Sequence, residues 1–441
     1  MIKDYKYAGT FYPENKSELF NLIESFEEKE PKYYTKAVIV PHAGFIYSGK
    51  LTARGINHLD KKTKNVFIIA PVHFEKIYGS ITCNYSAFNT PLGKLKINDE
   101  ITRYLIKNFE YPVNNYIFDH EHSIEVILPF IKKRLPEAKI IPILYGCENY
   151  KNIVKIIEEF YDNEDTAFVI SSDLSHFYPE KEALKIDLYT AKMIEENNIR
   201  NFESEQACGA VGICALTEFA KEKNFSLIRA GLYNSSDTTK ETSRVVGYGC
   251  WFLYEGNKNE YIKKYYSDFI IKTCKNSIIS GLQLGQFIPQ NYDCVFEQAG
   301  ASFVTLYKNG KLRGCIGSVS AYQSLIKDLY KNAHGAAFSD PRFPALTLHE
   351  FEQIEIEVSI LSKPERINFE YESDLLAQLK PFKDGLIIRD GLKKSVFLPE
   401  VWEQIPDKAL FLKELKIKAG LDENYFSENF EAFRFSTTKI S

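Results

Sequence analysis

The 441-residue chain lacks several features that would assign it to a common class of protein directly. It has only eight cysteines and no Cys-x-x-Cys pair, which argues against a disulfide scaffold or a zinc knuckle and fits free thiols in a reducing compartment. No apolar run approaches the roughly 18 residues of a transmembrane helix. Residues 1–7 lack the apolar core of a signal peptide. We therefore expect a cytoplasmic protein without a membrane partner.

An excess of positive charge is also missing. The chain has 55 Lys and Arg against 59 Asp and Glu, so its formal net charge is −4. Without a strong positive field to displace phosphate counterions, we expect no nucleic-acid partner. The glycine motifs of nucleotide-binding loops are absent, as are H-E-x-x-H and G-x-S-x-G. These absences argue against a nucleotide cofactor, a zincin protease and a serine hydrolase.

The first 250 residues alternate short β-branched runs with longer amphipathic stretches. The predicted strands are 37–40, 65–70, 139–144, 166–171, 226–232 and 244–253. The predicted helices are 99–108, 123–134, 150–161, 181–195 and 209–223. This alternation predicts an α/β domain with a largely parallel or mixed sheet that is covered by helices on both faces.

A polar stretch at 255–260 ends this alternation. We predict a first domain over residues 1–255, a linker at 256–264 and a second domain over 265–441, which begins with a helix near Tyr265–Leu282. Asn309-Gly310 lies between two strand-like runs and predicts a β-hairpin. Later strands and helices follow in no regular βαβ order, so the second domain is predicted to be α+β.

Histidine is distributed unevenly, with six of the eight residues before position 180. His42, His73 and His176 each follow a buried strand, and Cys208 precedes a predicted helix. Ligands in open α/β sheets bind beyond the carboxyl ends of the strands, where these side chains are expected to converge. Two imidazoles with a thiolate or carboxylate suit a first-row transition metal with open coordination positions.

The same region offers groups for proton transfer. Imidazole titrates near neutral pH, and His176 follows Asp173 by three residues, so this carboxylate is expected to orient the ring. His120 and His122 do not share a helix face, and we expect only His122, which precedes an amphipathic segment, to enter the site. A helix N-terminus is expected to favour the thiolate of Cys208.

Three functions agree with these residues. The first is a metal-dependent redox enzyme in which His176 moves a proton and His122 contacts the substrate. The second is a cysteine hydrolase or transferase with Cys208 as nucleophile, His176 as base and Asp173 as the orienting carboxylate. The third is a metal-binding scaffold protein without catalytic activity, because fold alone does not determine function.

Several sequence blocks resemble the Memo family across residues 1–254. The blocks are Ala8–Pro13, Pro41–Gly49, Glu121–Glu125, Ser171–His176, Cys208-Gly209 and Ser243–Tyr248. The resemblance implies a fold similar to class III extradiol dioxygenases, which are non-haem iron enzymes. It also implies a metal site at His42, His73 and Cys208, with Asp173, His176 and His122 around it. A cysteine in place of the dioxygenase glutamate makes copper a candidate beside iron(II).

The second half resembles the AMMECR family over about residues 262–441. Its blocks are Leu312–Ser318, Asp340–Pro344, Glu357–Leu361 and Lys416–Leu421. The two families together are similar to the AmmeMemoRadiSam system, which implies a radical SAM protein as a partner and a small-molecule or peptide substrate.

Four residues of the second half are candidates for a second site. Arg313 and Cys315 lie two positions apart on a predicted strand and therefore share one of its faces. An arginine beside a thiol lowers the pKa of the thiol, so Arg313 is expected to activate Cys315. The alternative is that Gly314 and the small Cys315 permit close packing. Asp340 and Arg342 form either part of a site or a simple ion pair.

Overall fold

The computed structural model describes residues 1–26, 30–200, 202–203, 205–283 and 289–441. The chain divides into two compact units, Met1–Lys258 and Asn259–Ser441. Residues 258–264, which we expected to be a linker, are the first turns of the helix Lys258–Leu282. Tyr261 and Ile262, which directly follow the polar stretch, are buried. Their burial stabilises a helix that begins closer to the N-terminus than we predicted.

The first unit contains eleven strands and nine α-helices within its described residues. The strands are β1 Ile2–Lys3, β2 Ala37–Val40, β3 Asn65–Pro71, β4 Ser80–Ile81, β5 Ala87–Phe88, β6 Leu95–Lys96, β7 Lys139–Tyr145, β8 Thr166–Ser171, β9 His176–Tyr178, β10 Ser226–Asn234 and β11 Val245–Tyr254. The helices are α1 Lys16–Phe26, α2 Phe45–Asn57, α3 Asp99–Asn108, α4 Asn115–His120, α5 Leu128–Arg134, α6 Tyr150–Tyr161, α7 Glu180–Glu195, α8 Ala210–Glu222 and α9 Ser236–Thr239.

The main sheet of this unit is mixed and flanked by helices, which confirms the predicted fold class. Its strand order is β10-β11-β2-β8-β3-β7-β4. The four central strands β2, β8, β3 and β7 are parallel, whereas β4, β10 and β11 pair with their neighbours in antiparallel fashion. Every residue of β2 and β8 is buried, as expected for strands covered on both faces. The central strands therefore end at a common edge.

One predicted helix of the first unit is shorter than expected. Residues 123–134 were predicted to be helical throughout, but Glu125–Ile127 form a 3₁₀ turn and α5 begins only at Leu128. Pro129 lies in the first turn of α5, where the missing amide proton of proline is tolerated. His122 lies before this 3₁₀ turn, in the segment that joins α4 to α5.

The second unit is α+β, as predicted. Its strands are β12 Ala299–Gly300, β13 Ser302–Lys308, β14 Lys311–Gly317, β15 Gln323–Ser324, β16 Ile354–Leu361, β17 Glu365–Ile367, β18 Gly385–Asp390, β19 Lys393–Phe397, β20 Glu431–Phe435 and β21 Thr437–Ile440. Its helices are α10 Lys258–Leu282, α11 Leu325–Phe338, α12 Leu348–Phe351, α13 Glu372–Gln378 and α14 Lys408–Lys418.

Two antiparallel sheets organise the second unit, in the orders β14-β13-β16-β21 and β17-β20-β18-β19. The predicted hairpin joins β13 to β14, and Asn309 and Gly310 both have positive φ at its turn. Helix α11 packs against β13 and β14. None of the helices in the described ranges combines the length and the apolar character needed to cross a bilayer.

Candidate metal centre

Three histidines converge at the carboxyl edge of the main sheet. His42 and His73 each lie two residues beyond a parallel strand, β2 and β3, and His122 lies in the turn after α4. One ligand nitrogen from each ring lies within 4.8 Å of the corresponding nitrogens of the other two. The ring centroids are 5.1 Å apart for His42 and His73, 5.5 Å for His42 and His122, and 4.9 Å for His73 and His122.

Hydrogen bonds fix the orientation of each ring. The Ser171 hydroxyl donates to the Ser123 carbonyl at 2.7 Å, so it accepts from Nδ1–H of His42, which lies at 2.7 Å. The Glu121 carboxylate accepts from Nδ1–H of His73 at 3.0 Å, and Nδ1 of His122 lies 3.1 Å from the same oxygen. A partner at Nδ1 favours the tautomer in which Nε2 keeps its lone pair and is available to a metal ion.

The electrostatic environment suits a cation at this position. Burial opposes the ionisation of Glu121, but hydrogen bonds from His122 and His73 outweigh it and hold the pKa of this carboxyl well below its usual range. Burial, followed by the neighbouring His73 and His122, lowers the pKa of His42 well below its ordinary value. The centre thus combines a neutral imidazole at His42 with a buried anion at Glu121.

One side of the cluster is open. The side chain of His73 is 32% exposed and that of His122 is 22% exposed, whereas His42 is buried. Phe11 and Tyr7 border His122, with ring centroids 4.9 and 5.7 Å from the imidazole. A small molecule in solution can therefore approach through the side formed by His73 and His122.

Cys208 lies beside the cluster. Its Sγ is 3.4 Å from Nε2 of His42 and accepts a hydrogen bond from the Asp173 amide at 3.2 Å. Among the described residues, the ligand atoms that all lie within 4.8 Å of one another come from His42, His73 and His122. The Cys208 sulfur does not belong to this set. Burial and then the charge of Asp173 raise the pKa of the thiol, opposite to the effect we expected from the start of α8.

Asp173 and His176 are arranged differently from the predicted pair. The Asp173 carboxylate accepts from the backbone amide of His42 at 2.9 Å, and in the part of the chain that the structure describes no hydrogen bond joins it to His176. Burial raises the pKa of Asp173. Asp173 therefore holds the backbone of a cluster residue, whereas His176 is half-buried at the start of β9.

Two neighbouring residues of the motif Asp119–His122 have separate roles. His120 lies outside the cluster, where its ring stacks on Phe74 with a centroid distance of 4.9 Å. Glu121 is 2% exposed and connects two of the three imidazoles, although we assigned it no role from sequence. Its only sequence signal is its position beside His122, and a carboxylate next to a histidine is too common to predict such a bridge.

Three of the four second-domain candidates take part in two ion pairs. Arg313 binds Glu350 through two nitrogens at 3.1 and 3.0 Å, so its charge is neutralised away from the thiol it was expected to activate. Arg342 binds Asp340 at 2.7 and 3.0 Å, and Asp340 also accepts from the Cys315 amide at 2.8 Å.

The thiol of Cys315 is not activated in this arrangement. Burial raises its pKa, although the nearby charge of Arg342 acts in the opposite direction. A methyl group on Gly314 would lie 2.1 Å from the Ala336 carbonyl oxygen, so this glycine is required for close packing.

Comparisons with known proteins agree with this architecture. A family model described as Memo-like protein matches residues 3–252, which is more than half of the chain. The chain belongs to the Memo family. A second family model, AMMECR1, matches residues 271–440, so the Memo domain is fused to an AMMECR1 domain.

The chain has relatives in bacteria and archaea. A MEMO1 family protein of Aquifex aeolicus is 36% identical over 57% of this chain and 99% of its own length. A MEMO1 family protein of Thermoplasma acidophilum is 32% identical over 55% of this chain and 94% of its own. A crystal structure of an uncharacterised protein from Pyrococcus horikoshii is 29% identical, covers 39% of this chain and 88% of its own, and gives a TM-score of 0.37.

Proposed function

We propose that the Memo domain binds a first-row transition metal through Nε2 of His42, His73 and His122 and acts as a metal-dependent redox enzyme resembling class III extradiol dioxygenases. The observation that carries this proposal is the convergence of three imidazoles, each with an oxygen atom within 3.1 Å of its Nδ1. Metal-binding histidines commonly have such a partner on the second ring nitrogen, because it fixes both the tautomer and the ring orientation.

The donor set fits iron(II) or copper. Imidazole nitrogen is a suitable ligand for iron, copper, zinc and nickel, and the lowered pKa of His42 keeps this ring neutral, as ligation requires. A bound iron or copper ion would supply one-electron exchange and polarisation of a substrate oxygen. We propose these two metals rather than zinc because of the resemblance to the dioxygenases.

The residues around the ligands support a substrate on the open side. His176 is half-buried and its ring has no hydrogen-bond partner among the described residues, so it is available to exchange a proton with a bound molecule. The rings of Phe11 and Tyr7 border the same opening beside His122. In this arrangement His122 acts as a ligand, whereas our sequence analysis gave it the role of contacting the substrate.

The test is metal analysis of full-length protein purified without oxygen. We expect about one equivalent of iron or copper per chain and its loss in His73→Ala and His122→Ala. His120→Ala is the matched control, because this histidine stacks on Phe74 outside the cluster. A chain that holds less than about a tenth of an equivalent, and that binds neither metal on titration, contradicts the proposal.

A further variant separates two ligand sets. The sequence resemblance implies His42, His73 and Cys208, whereas the geometry favours the three histidines. Cys208→Ser should retain most of the metal if His122 is the third ligand. Loss of metal from Cys208→Ser together with retention in His122→Ala would instead favour the sulfur.

The distance of 3.4 Å between the Cys208 sulfur and Nε2 of His42 favours a second candidate function, a cysteine hydrolase or transferase. His42, rather than His176, would then be the base. The raised pKa of the thiol opposes this function. Rapid alkylation of Cys208 by iodoacetamide at neutral pH, with the same rate in the presence and absence of metal, would support the hydrolase.

The fusion of a Memo domain to an AMMECR1 domain supports a place in the AmmeMemoRadiSam system. We therefore propose a radical SAM protein as its partner, and co-purification of the two proteins is the test. If a His42→Ala chain without metal still bound this partner and performed its cellular role, the domain would be a scaffold rather than an enzyme.

A further inference from the structure

The unit Asn259–Ser441 contains a cavity that none of the candidate site residues discussed above lines. Its volume is about 490 Å³, within the range of roughly 300 to 1,000 Å³ that is typical of small-molecule sites. Its walls come from α10, from the 3₁₀ helix Pro399–Glu403 and from residues 436–439 at the C-terminal strand β21. The aromatic side chain of Phe382 also borders it.

Charges of both signs line this cavity in equal number. Lys263, Lys383 and Lys439 provide three ammonium groups. Glu260, Glu400 and Glu403 provide three carboxylates.

Some of these charges are already satisfied within the domain. Lys439 and Glu400 pair with each other at 3.3 Å, and Glu260 accepts a hydrogen bond from the Thr438 hydroxyl at 3.2 Å.

The remaining charges are available to a ligand. Across the described ranges of the chain, the side chains of Lys263, Lys383 and Glu403 form no hydrogen bond or ion pair, although the charge of Glu403 contributes to the raised pKa of Lys439. Free groups of both signs thus face the same space. A ligand with a single charge would bring that charge close to a group of like sign, whereas a zwitterion can satisfy both.

The aromatic residue at this cavity has an unusual backbone conformation. Phe382 has φ of +64°, in the left-handed region that bulky residues rarely adopt, and it is 61% exposed. The surrounding turn enforces this conformation, because the Asp384 carboxylate accepts from the Lys380 amide at 2.8 Å and the buried Trp402 donates to the Asp384 carbonyl at 2.7 Å. Strained residues that present a side chain to solvent cluster at ligand sites.

We propose that this cavity binds a small zwitterion with an aromatic side group, that is, a molecule of the free aromatic amino acid class. Its carboxylate would interact with Lys263 and Lys383, and its ammonium group with Glu403. Its ring would pack against Phe382, since offset aromatic pairs are favourable. None of the residues that line this cavity belongs to the candidate metal centre, because all of them lie in the unit Asn259–Ser441.

The test is a calorimetric titration of the full-length chain with three probes of one shape and different charge. L-phenylalanine carries both charges, N-acetyl-L-phenylalanine only the carboxylate, and L-phenylalanine amide only the ammonium group. We expect L-phenylalanine to bind at least about tenfold more tightly than either derivative, because each derivative loses one charged contact. Equal affinities, tighter binding of a derivative, or no binding of any probe would overturn the proposal.

Variants connect the binding to the cavity. Lys383→Gln and Glu403→Gln should each weaken L-phenylalanine binding by about tenfold, and Phe382→Gly should weaken it through loss of the ring. Lys394→Gln is the matched control, since Lys394 is an exposed lysine of the same domain that does not line the cavity. Thermal melting of each variant verifies that it is folded. Binding that survives all three cavity substitutions would contradict the assignment.

Discussion

At the candidate metal centre a single carboxylate, that of Glu121, contacts two imidazoles. It accepts a hydrogen bond from Nδ1 of His73 at 3.0 Å and lies 3.1 Å from Nδ1 of His122, and it also accepts hydrogen bonds from the backbone amides of both residues. A glutamine here could accept at one oxygen only and would carry no charge. We expect Glu121→Gln to lower the metal affinity by about 10- to 100-fold without removing a ligand, as measured by competition with a chelator.

A neighbouring acid provides the control for this substitution. Asp119 accepts from the Tyr85 hydroxyl at 2.8 Å and does not touch the cluster, so Asp119→Asn should leave the metal affinity nearly unchanged. If the two variants bound metal equally well, the bridging role of Glu121 would be refuted.

Asp187 is a buried acid whose ionisation opposes folding. It is 2% exposed, and burial raises its pKa to about 6, although hydrogen bonds from Ser175 act in the opposite direction. The folded protein therefore retains this proton between pH 4 and 6, where the unfolded chain, with a pKa of about 3.9, loses it. The contribution of Asp187 to the free energy of unfolding is therefore greatest below pH 4 and falls as the pH rises to about 6.

Replacing this acid with an amide isolates its contribution. An asparagine side chain at this position would keep an acceptor for the Ser175 amide, which now donates to Asp187 at 3.0 Å, without a titrating group. We expect Asp187→Asn to be more stable than the native chain by about 2 kcal/mol at pH 7 and to show no such difference near pH 4. Urea unfolding of chelator-treated protein at several pH values measures this difference in the free energy of unfolding. Parallel pH profiles of the two proteins would disprove the role of Asp187.

Among the secondary-structure elements, the bounds of two fully buried strands were predictable from sequence. Strands β2 and β8 have the predicted bounds because a short continuous apolar run, fully buried, has few alternative registers. Helix α10 begins seven residues before the predicted helix. Its first turn is polar and was therefore assigned to the linker, although Tyr261 and Ile262, which follow, are buried. The turn before α5 was missed because an apolar run alone does not distinguish a 3₁₀ turn from an α-helix.

The contact between β14 and α11 explains one motif that sequence left ambiguous. A methyl group on Gly314 would lie 2.1 Å from the Ala336 carbonyl oxygen, a backbone atom that cannot move away independently. We expect Gly314→Ala to lower the free energy of unfolding by about 1–3 kcal/mol, measured by urea denaturation. Gly310→Asn is the comparison, since nothing lies within 4 Å of that position and asparagine tolerates its φ of +71°. Equal stability of the two variants would contradict the packing role.

On the scale of the whole molecule, the candidate site was only partly predictable. His42 and His73 follow parallel strands directly, so the topology of the sheet predicts that they meet. His122 was expected in the site as a substrate contact rather than as a ligand, and Glu121 was given no role. Both lie between two helices, where the direction of a side chain depends on tertiary packing that no local pattern encodes. The cavity of the AMMECR1 domain left no sequence signal, because its lining residues are drawn from distant segments and are ordinary surface types.

Because all the proposed ligands lie within Met1–Lys258, metal binding should stabilise that unit in particular. His42 follows β2, His73 follows β3, and Ser171 ends β8, so one ion would link the ends of three central strands. At a free metal concentration of about 100 times Kd, the expected stabilisation is about 2.7 kcal/mol. Hydrogen exchange with and without metal should therefore show slower exchange in these strands, and His42→Ala should abolish the difference. Metal-dependent protection that persists in His42→Ala, or that spares all three strands, would show that the ion binds elsewhere.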